Sequence, residues 1–203
     1  MNLDQFYHIA RASCAVAAVE YVTVFGSNAI LPWLNDMGIQ DMRQFLDPGI
    51  VSRELDLCVG DGADDALNTL IDGTIGELSQ FDETFGVYAH PNPVEGLFQA
   101  PFSWRKRIRI VKEPGTNVKI IVPHYRDLAA SKIIAGRPKD MDFALKVART
   151  FDNDADEILS LVEAYMHEAP RDNEKVSAHL DVFKHRFTHS PGQVPERRSP
   201  ENS

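Results

Sequence analysis

The sequence predicts an α+β protein, with a sheet-bearing body followed by a C-terminal helical region. Three observations carry that expectation. Short β-branched or aromatic runs recur before Pro123: "YVTVF" (21–25), "VSRELDLCV" (51–59), "GVYAH" (86–90), "RKRIRIVKE" (105–113) and "NVKIIVP" (117–123). After Pro123 the chain reads as a succession of helices, and strands early with helices late is the α+β pattern. The 203 residues are 43% apolar and 25% charged, which suits a folded body of one domain with a small appendage.

The elements follow in order. "LDQFYHIARASCAVAAVE" (3–20) places Leu3, Phe6, Ile9, Ala10, Val16 and Ala17 at helical spacing. "YVTVF" is a strand that Gly26 ends, and "SNAILPWLND" (27–36) begins a short helix for which Ser27 or Asn28 would be the N-cap. Pro32 fits only in the first turn of that helix. Alternation in "VSRELDLCV" puts Ser52, Glu54, Asp56 and Cys58 on one face and Val51, Arg53, Leu55, Leu57 and Val59 on the other. "GDGADD" (60–65) is a turn, with Asp61, Asp64 and Asp65 read as helix N-capping groups because no Glu completes a calcium loop. "ADDALNTLIDGTIGELSQ" (63–80) is a helix with a weak spot at Gly73, and "PNPVEG" (91–96) is loop. "EPGT" turns between the last two strands. The helices are "YRDLAASKIIAG" (125–136), "PKDMDFALKVARTF" (138–151), "DADEILSLVEAYMHEA" (154–169) and "DNEKVSAHLDVFKHRF" (172–187). The expected division is an α/β core over 1–122, a helical region over 123–187 and a disordered Pro- and Ser-rich tail over 188–203.

Charge is unevenly placed. Residues 101–149 hold 12 Lys/Arg against 4 Asp/Glu, a balance of +8, inside a chain of net charge −9. The whole molecule is therefore excluded as a nonspecific binder of nucleic acid or anionic membrane, while its middle either forms a polyanion site or offsets an acidic surface elsewhere. Cys14 and Cys58 sit in apolar surroundings, which suits buried thiols in a reducing compartment better than a disulfide or zinc site. Glu20 interrupts the apolar stretch 12–24, and the start lacks the basic character of a signal peptide, so a cytoplasmic protein with no membrane partner is expected.

Two carboxylates at i and i+2 on a strand, Glu54 and Asp56, share the geometry that holds Mg²⁺. Gly26-Ser27 at a strand-to-helix junction offers backbone N–H groups, a hydroxyl and close backbone approach, which suit a phosphate. Singly, each also fits a plain turn or a solvated face.

Together, "VFGSNAIL…SRELDL" resembles the strand–Gly-Ser–helix and acid-x-acid arrangement of the polymerase-β-like nucleotidyltransferase superfamily. "RDLAASKIIAGRPKDMDFA" is similar to the Lys-x4-Arg-x2-Asp helical signature of its minimal members, the AbiEii-type and related nucleotidyltransferases, often toxins of toxin–antitoxin or phage-defence pairs. The resemblance spans about residues 20 to 150 and implies a nucleotidyltransferase-like mixed sheet with flanking helices. It further implies that Gly26 and Ser27 grip an NTP triphosphate and that Glu54 and Asp56 ligate Mg²⁺. Lys132 would reach the triphosphate, and Asp140 would complete the site near Lys132 and Arg137. The implied activity is transfer of a nucleoside monophosphate to RNA, a tRNA end included, or to a protein hydroxyl, with a cognate antitoxin as a further partner. Two departures stand out. Glu54 replaces the usual first Asp, and the later strands offer Arg109 and Lys119 rather than a third carboxylate, so one Mg²⁺ arriving with the NTP is expected. The alternative is a catalytically inactive nucleotidyltransferase-like binding module.

Local physics bears on the second half of the site. Gly136 ends one helix and Pro138 opens the next, so Asp140 falls in a first turn, where an acid either serves the macrodipole or the site. Lys132 lies among small and apolar neighbours and either snorkels or meets an anion, the second being the expectation. Alternation would line Arg105, Arg107 and Arg109 along one face of a strand, either as a track for RNA or the triphosphate or as a charged edge that resists aggregation. His90, His124 and His167 lack ligand spacing and read as surface or satisfied histidines, and Trp104 reads as a core or edge aromatic.

Overall fold

A computed structural model describes residues 1–59, 64–92, 98–152 and 155–189. It is α+β. Five strands, β1 (Tyr21–Val24), β2 (Glu54–Val59), β3 (Tyr88–Pro91), β4 (Arg109–Lys112) and β5 (Lys119–Val122), form one sheet in the order β3-β2-β1-β5-β4. β1 runs antiparallel to β2 and parallel to β5, β2 runs parallel to β3, and β4 closes the far edge antiparallel to β5, so the sheet is mixed.

Helix α1 (Leu3–Ala17) is capped by Asn2 and Gln5 acting reciprocally and buries Phe6, Ile9 and Cys14. It ends earlier than its apolar pattern suggests, because Ala18 turns left-handed and closes the last turn. After β1, Ser27–Ile30 forms a 3₁₀ turn that leads into α2 (Leu31–Asn35), with Pro32 in the first turn as expected. Neither Ser27 nor Asn28 caps it: Gly26 takes the cap position of the 3₁₀ turn and Ile30 that of α2, and Asn28 is drawn away to β2.

The single helix expected over 63–80 is instead two. Asp64 caps α3 (Asp65–Ile75), and Gly73 is tolerated within it. The break comes at Gly76, where an added Cβ would lie 2.3 Å from the Asp72 carbonyl. Ser79 then caps α4 (Gln80–Phe85), an unforeseen helix. Asp61, read as a capping group, lies outside the described residues.

The strand expected over 105–113 also shortens, because Phe102–Arg107 coils into a 3₁₀ helix. Burial of Trp104 against Phe25 and Phe98 outweighs the alternating pattern, so the three arginines do not share a strand face. Arg107 bonds Asp127, and Arg109 on β4 bonds Asp36 while lying over the Trp33 ring.

The helical region comprises α5 (Tyr125–Ala135), α6 (Pro138–Val147), α7 (Asp156–Glu168) and α8 (Asn173–His189), with α6 running on into a π turn over Ala148–Asp152. α5 packs against α6, α7 and α8. Its run of small residues follows from that position, since Ala129, Ala130 and Ser131 are buried beside Leu128, Ile133 and Ile134. Of the tail expected over 188–203, residues 188–189 belong to α8 and the rest lie outside the described residues. Cys14 and Cys58 are buried and not disulfide-bonded, and burial pushes Cys14 up to about 11. Among the described residues no helix is long and apolar enough to cross a membrane.

Candidate functional site

The end of β1 and the start of β2 lie side by side, which brings the Gly-Ser corner against the acid-bearing strand. Phe25 N–H donates to the Asp56 carbonyl at 2.8 Å. Gly26 then adopts φ +70°, and a Cβ there would sit 2.0 Å from Asp56 Oδ2. Only glycine permits this approach, both by conformation and by space. Leu55 and Leu57 point into the core, while Glu54 and Asp56 share the opposite face and are partly exposed.

β3 adds two groups in register. Tyr88 pairs with Glu54 and His90 with Asp56. The Tyr88 hydroxyl donates to Glu54 Oε2 at 3.4 Å, and His90 Nδ1 lies 3.1 Å from Asp56 Oδ1. Burial pushes the Asp56 carboxyl above the usual carboxylate range, and the charge of Glu54 adds to the shift. Burial and the nearby charges of Glu54 and Glu77 push the Tyr88 hydroxyl up to about 12. Both groups thus lie in a partly desolvated place beside the Glu54 charge.

The opposite wall comes from α5 and α6. Lys132 Nζ lies 3.0 Å from Asp140 Oδ1, and Arg137 bonds the other Asp140 oxygen. Asp140 is buried and is shared by the two cations. Gly136 makes the link between the helices at φ +72°, with the His179 ring of α8 packed where a Cβ would stand.

A cavity of about 190 Å³ lies between the walls, and all seven residues singled out from the sequence line it: Gly26, Ser27, Glu54, Asp56, Lys132, Arg137 and Asp140. Asn28, His90, Ser131 and Lys139 line it too, with Phe25, Phe98 and Phe143 among the apolar groups. Of the groups at the site, Tyr88 and Lys139 are not expected from the sequence, in which Asn28 reads as a helix cap and His90 as a surface or satisfied histidine. Alternation in "VYAH" could have placed Tyr88 and His90 on one face, and "RPKD" holds Lys139 between two expected site residues; the pairing of β3 with β2 leaves no local signal. The other two histidines give no site: His124 caps α5 through Nδ1, and His167 lies near the end of α7.

Among the described residues no three His, Cys, Asp or Glu side chains are grouped to hold a metal ion. Glu54 and Asp56 instead present a two-carboxylate donor set. That set fits Mg²⁺, which takes one or two carboxylates and completes its shell with water and substrate phosphate. The cavity is thus bipolar, with paired acids on one side and an excess of cations on the other.

Residues 75–162 match the sequence pattern of a family described as a nucleotidyltransferase of unknown function (DUF6036). The matched span includes His90, Lys132, Arg137 and Asp140, whereas Gly26, Ser27, Glu54 and Asp56 precede it. The match supports a nucleotidyltransferase family without singling out the AbiEii-type subgroup. No curated protein and no solved structure gives a significant match to the chain.

Proposed function

We propose that the protein is a Mg²⁺-dependent nucleotidyltransferase that transfers a nucleoside monophosphate from an NTP to a hydroxyl acceptor. The observation that carries this reading is the bipolar cavity, in which the Glu54–Asp56 pair faces Lys132, Arg137 and Lys139 across the Gly26-Ser27 corner. A triphosphate with its metal has the same polarity. Glu54 and Asp56 would hold Mg²⁺, which supplies charge neutralisation and a fixed phosphate geometry when bound. The backbone at Gly26 and Ser27 would approach the phosphates closely, and Lys132 and Arg137 would neutralise their oxygens. The acceptor oxygen would attack the α-phosphate, its O–H proton would leave to solvent, and the bond to the β-phosphate would break to release pyrophosphate. Positioning and electrostatics account for the rate in such a transfer.

The ordered Gly-Ser, acid-x-acid and Lys-x4-Arg-x2-Asp signals support placement with the AbiEii-type enzymes, and with it a toxin whose partner is a cognate antitoxin. RNA, a tRNA end included, is favoured over a protein hydroxyl because the exposed Arg105 and Lys106 lie beside Trp104, which packs on the cavity residues Phe25 and Phe98. Incubation with each α-labelled NTP, Mg²⁺ and total RNA or protein tests the reading. Label is expected in RNA, and its transfer is expected to vanish in Asp56→Ala; no transfer to any macromolecule would refute the enzyme. A second reading, an inactive nucleotide-binding module, draws on the engagement of Asp56 by His90 and of Lys132 by Asp140. It expects nucleotide to stabilise the protein without Mg²⁺ and without label transfer.

A further inference from the structure

The β1–β2 ladder stops where the cavity begins. Its last paired residues are Val24 and Leu57, and one more backbone bond, from Phe25 N–H to the Asp56 carbonyl, closes it. Past Gly26 the chain coils into the 3₁₀ turn Ser27–Ile30 and has no extended backbone left to offer the start of β2. The Ser52 and Glu54 carbonyls, on partly buried residues, then face a strand that has turned away and must find another donor.

Asn28 stands in for the missing strand. It is 2% exposed, and its Nδ2 donates to the Glu54 carbonyl at 2.7 Å and to the Ser52 carbonyl at 3.3 Å. Its own Oδ1 is buried with no hydrogen-bond partner among the described residues. A buried amide whose donors both serve β2 while its acceptor goes unmatched is held there for those two donations. The Glu54 carbonyl it grips belongs to the residue whose carboxylate faces the cavity, and Asn28 also lines that cavity.

We infer that Asn28 is a positioning residue of the nucleotide site: its side chain acts as an extra rung that fixes the acid-bearing strand to the Gly-Ser corner and sets Glu54 at its distance from Gly26. The inference rests on the reading of the cavity as a metal–nucleotide site. Alanine at 28 would leave both carbonyls without a donor, and aspartate would set a carboxylate against them. In either variant the start of β2 loosens, the paired carboxylates lose their fixed separation, and the cationic wall of Lys132, Arg137 and Lys139 is untouched. Metal-dependent binding suffers while contacts to the phosphates from that wall persist.

Two measurements on the full chain decide it, using Asn28→Ala and Asn28→Asp, with Asn28→Ser as the milder replacement should either fail to fold. Hydrogen exchange over residues 51–57 is expected to quicken in the variants, with exchange in α7 and α8 unchanged. The Mg²⁺ concentration that gives half-maximal thermal stabilisation by ATP is expected to rise roughly 10-fold or more, as for other groups that orient a metal ligand. Stabilisation by ATP in EDTA should stay at the wild-type level. Unchanged exchange over 51–57 overturns the rung. Quickened exchange with an unchanged Mg²⁺ requirement overturns the positioning role while leaving the nucleotide site standing. If the wild type itself shows no Mg²⁺-dependent stabilisation, the functional reading and the positioning role fall together, and the exchange result alone still decides whether the rung exists.

Discussion

Near each end of α5 a carboxylate is sunk into the protein, and the two are neutralised differently. In the first turn Asp127 is fully buried and is met one-to-one by Arg107, whose Nε and Nη2 donate to its two oxygens at 2.9 and 2.6 Å. Beyond the other end, Asp140 in the first turn of α6 is almost as buried but is shared by Lys132 and Arg137. The first pair closes on itself. The second leaves positive charge in excess, and Lys139 adds to it on the same cavity wall. Burial alone does not distinguish a scaffold ion pair from a functional one; the count of partners does.

Breaking the arginine at each place should expose that difference most strongly. Arg107→Ala strands a fully buried carboxylate, and urea denaturation is expected to show a loss of about 3–5 kcal/mol. Arg137→Ala leaves Asp140 with Lys132, and because the Arg137 side chain is 60% exposed the stability change should stay within about 0.5 kcal/mol. A large loss in the second variant, or a small one in the first, would erase the contrast.

Gly136 lies between the two helices and offers the next largest effect. Gly136→Ala imposes a left-handed conformation on a residue with a Cβ and drives that atom into the His179 ring. A loss of about 1–3 kcal/mol is expected in thermal or chemical unfolding, and His179→Ala added to it should recover part. Lys132→Ala should alter stability by only about 1 kcal/mol yet weaken NTP binding by about 1.5–3 kcal/mol, roughly 10-fold to 150-fold, measured by calorimetry. The smallest effect is reserved for Arg137→Ala in the same titration, where solvent screening limits the loss to a few-fold.

How far the sequence foretold this arrangement depends on the range of the signal. Gly26, Ser27, Glu54, Asp56, Lys132, Arg137 and Asp140 line one cavity. The first four were legible because strand alternation and junction chemistry act over a few residues, whereas Arg137 and the roles of Lys132 and Asp140 came from the family resemblance. His90 was not, since its place opposite Asp56 depends on parallel pairing between strands 34 residues apart in sequence. Arg107 was misplaced because Arg-x-Arg-x-Arg matches the strand period while burial of Trp104 favours a coil. Asn28 looked like a helix cap, the usual duty of asparagine at that position, and the competing demand of β2 carbonyls became visible only in three dimensions.

The most direct trial of the bipolar cavity is an equilibrium titration of purified protein with a fluorescent NTP, in Mg²⁺ and in EDTA, alongside folded Asp56→Asn. Tight binding that requires Mg²⁺ and is lost when Asp56 gives up its charge is the expected result. Equal affinity in the two buffers, or an Asp56→Asn protein that still binds as the wild type does, would show that the acids and the cations of this cavity do not meet on one metal-bound triphosphate.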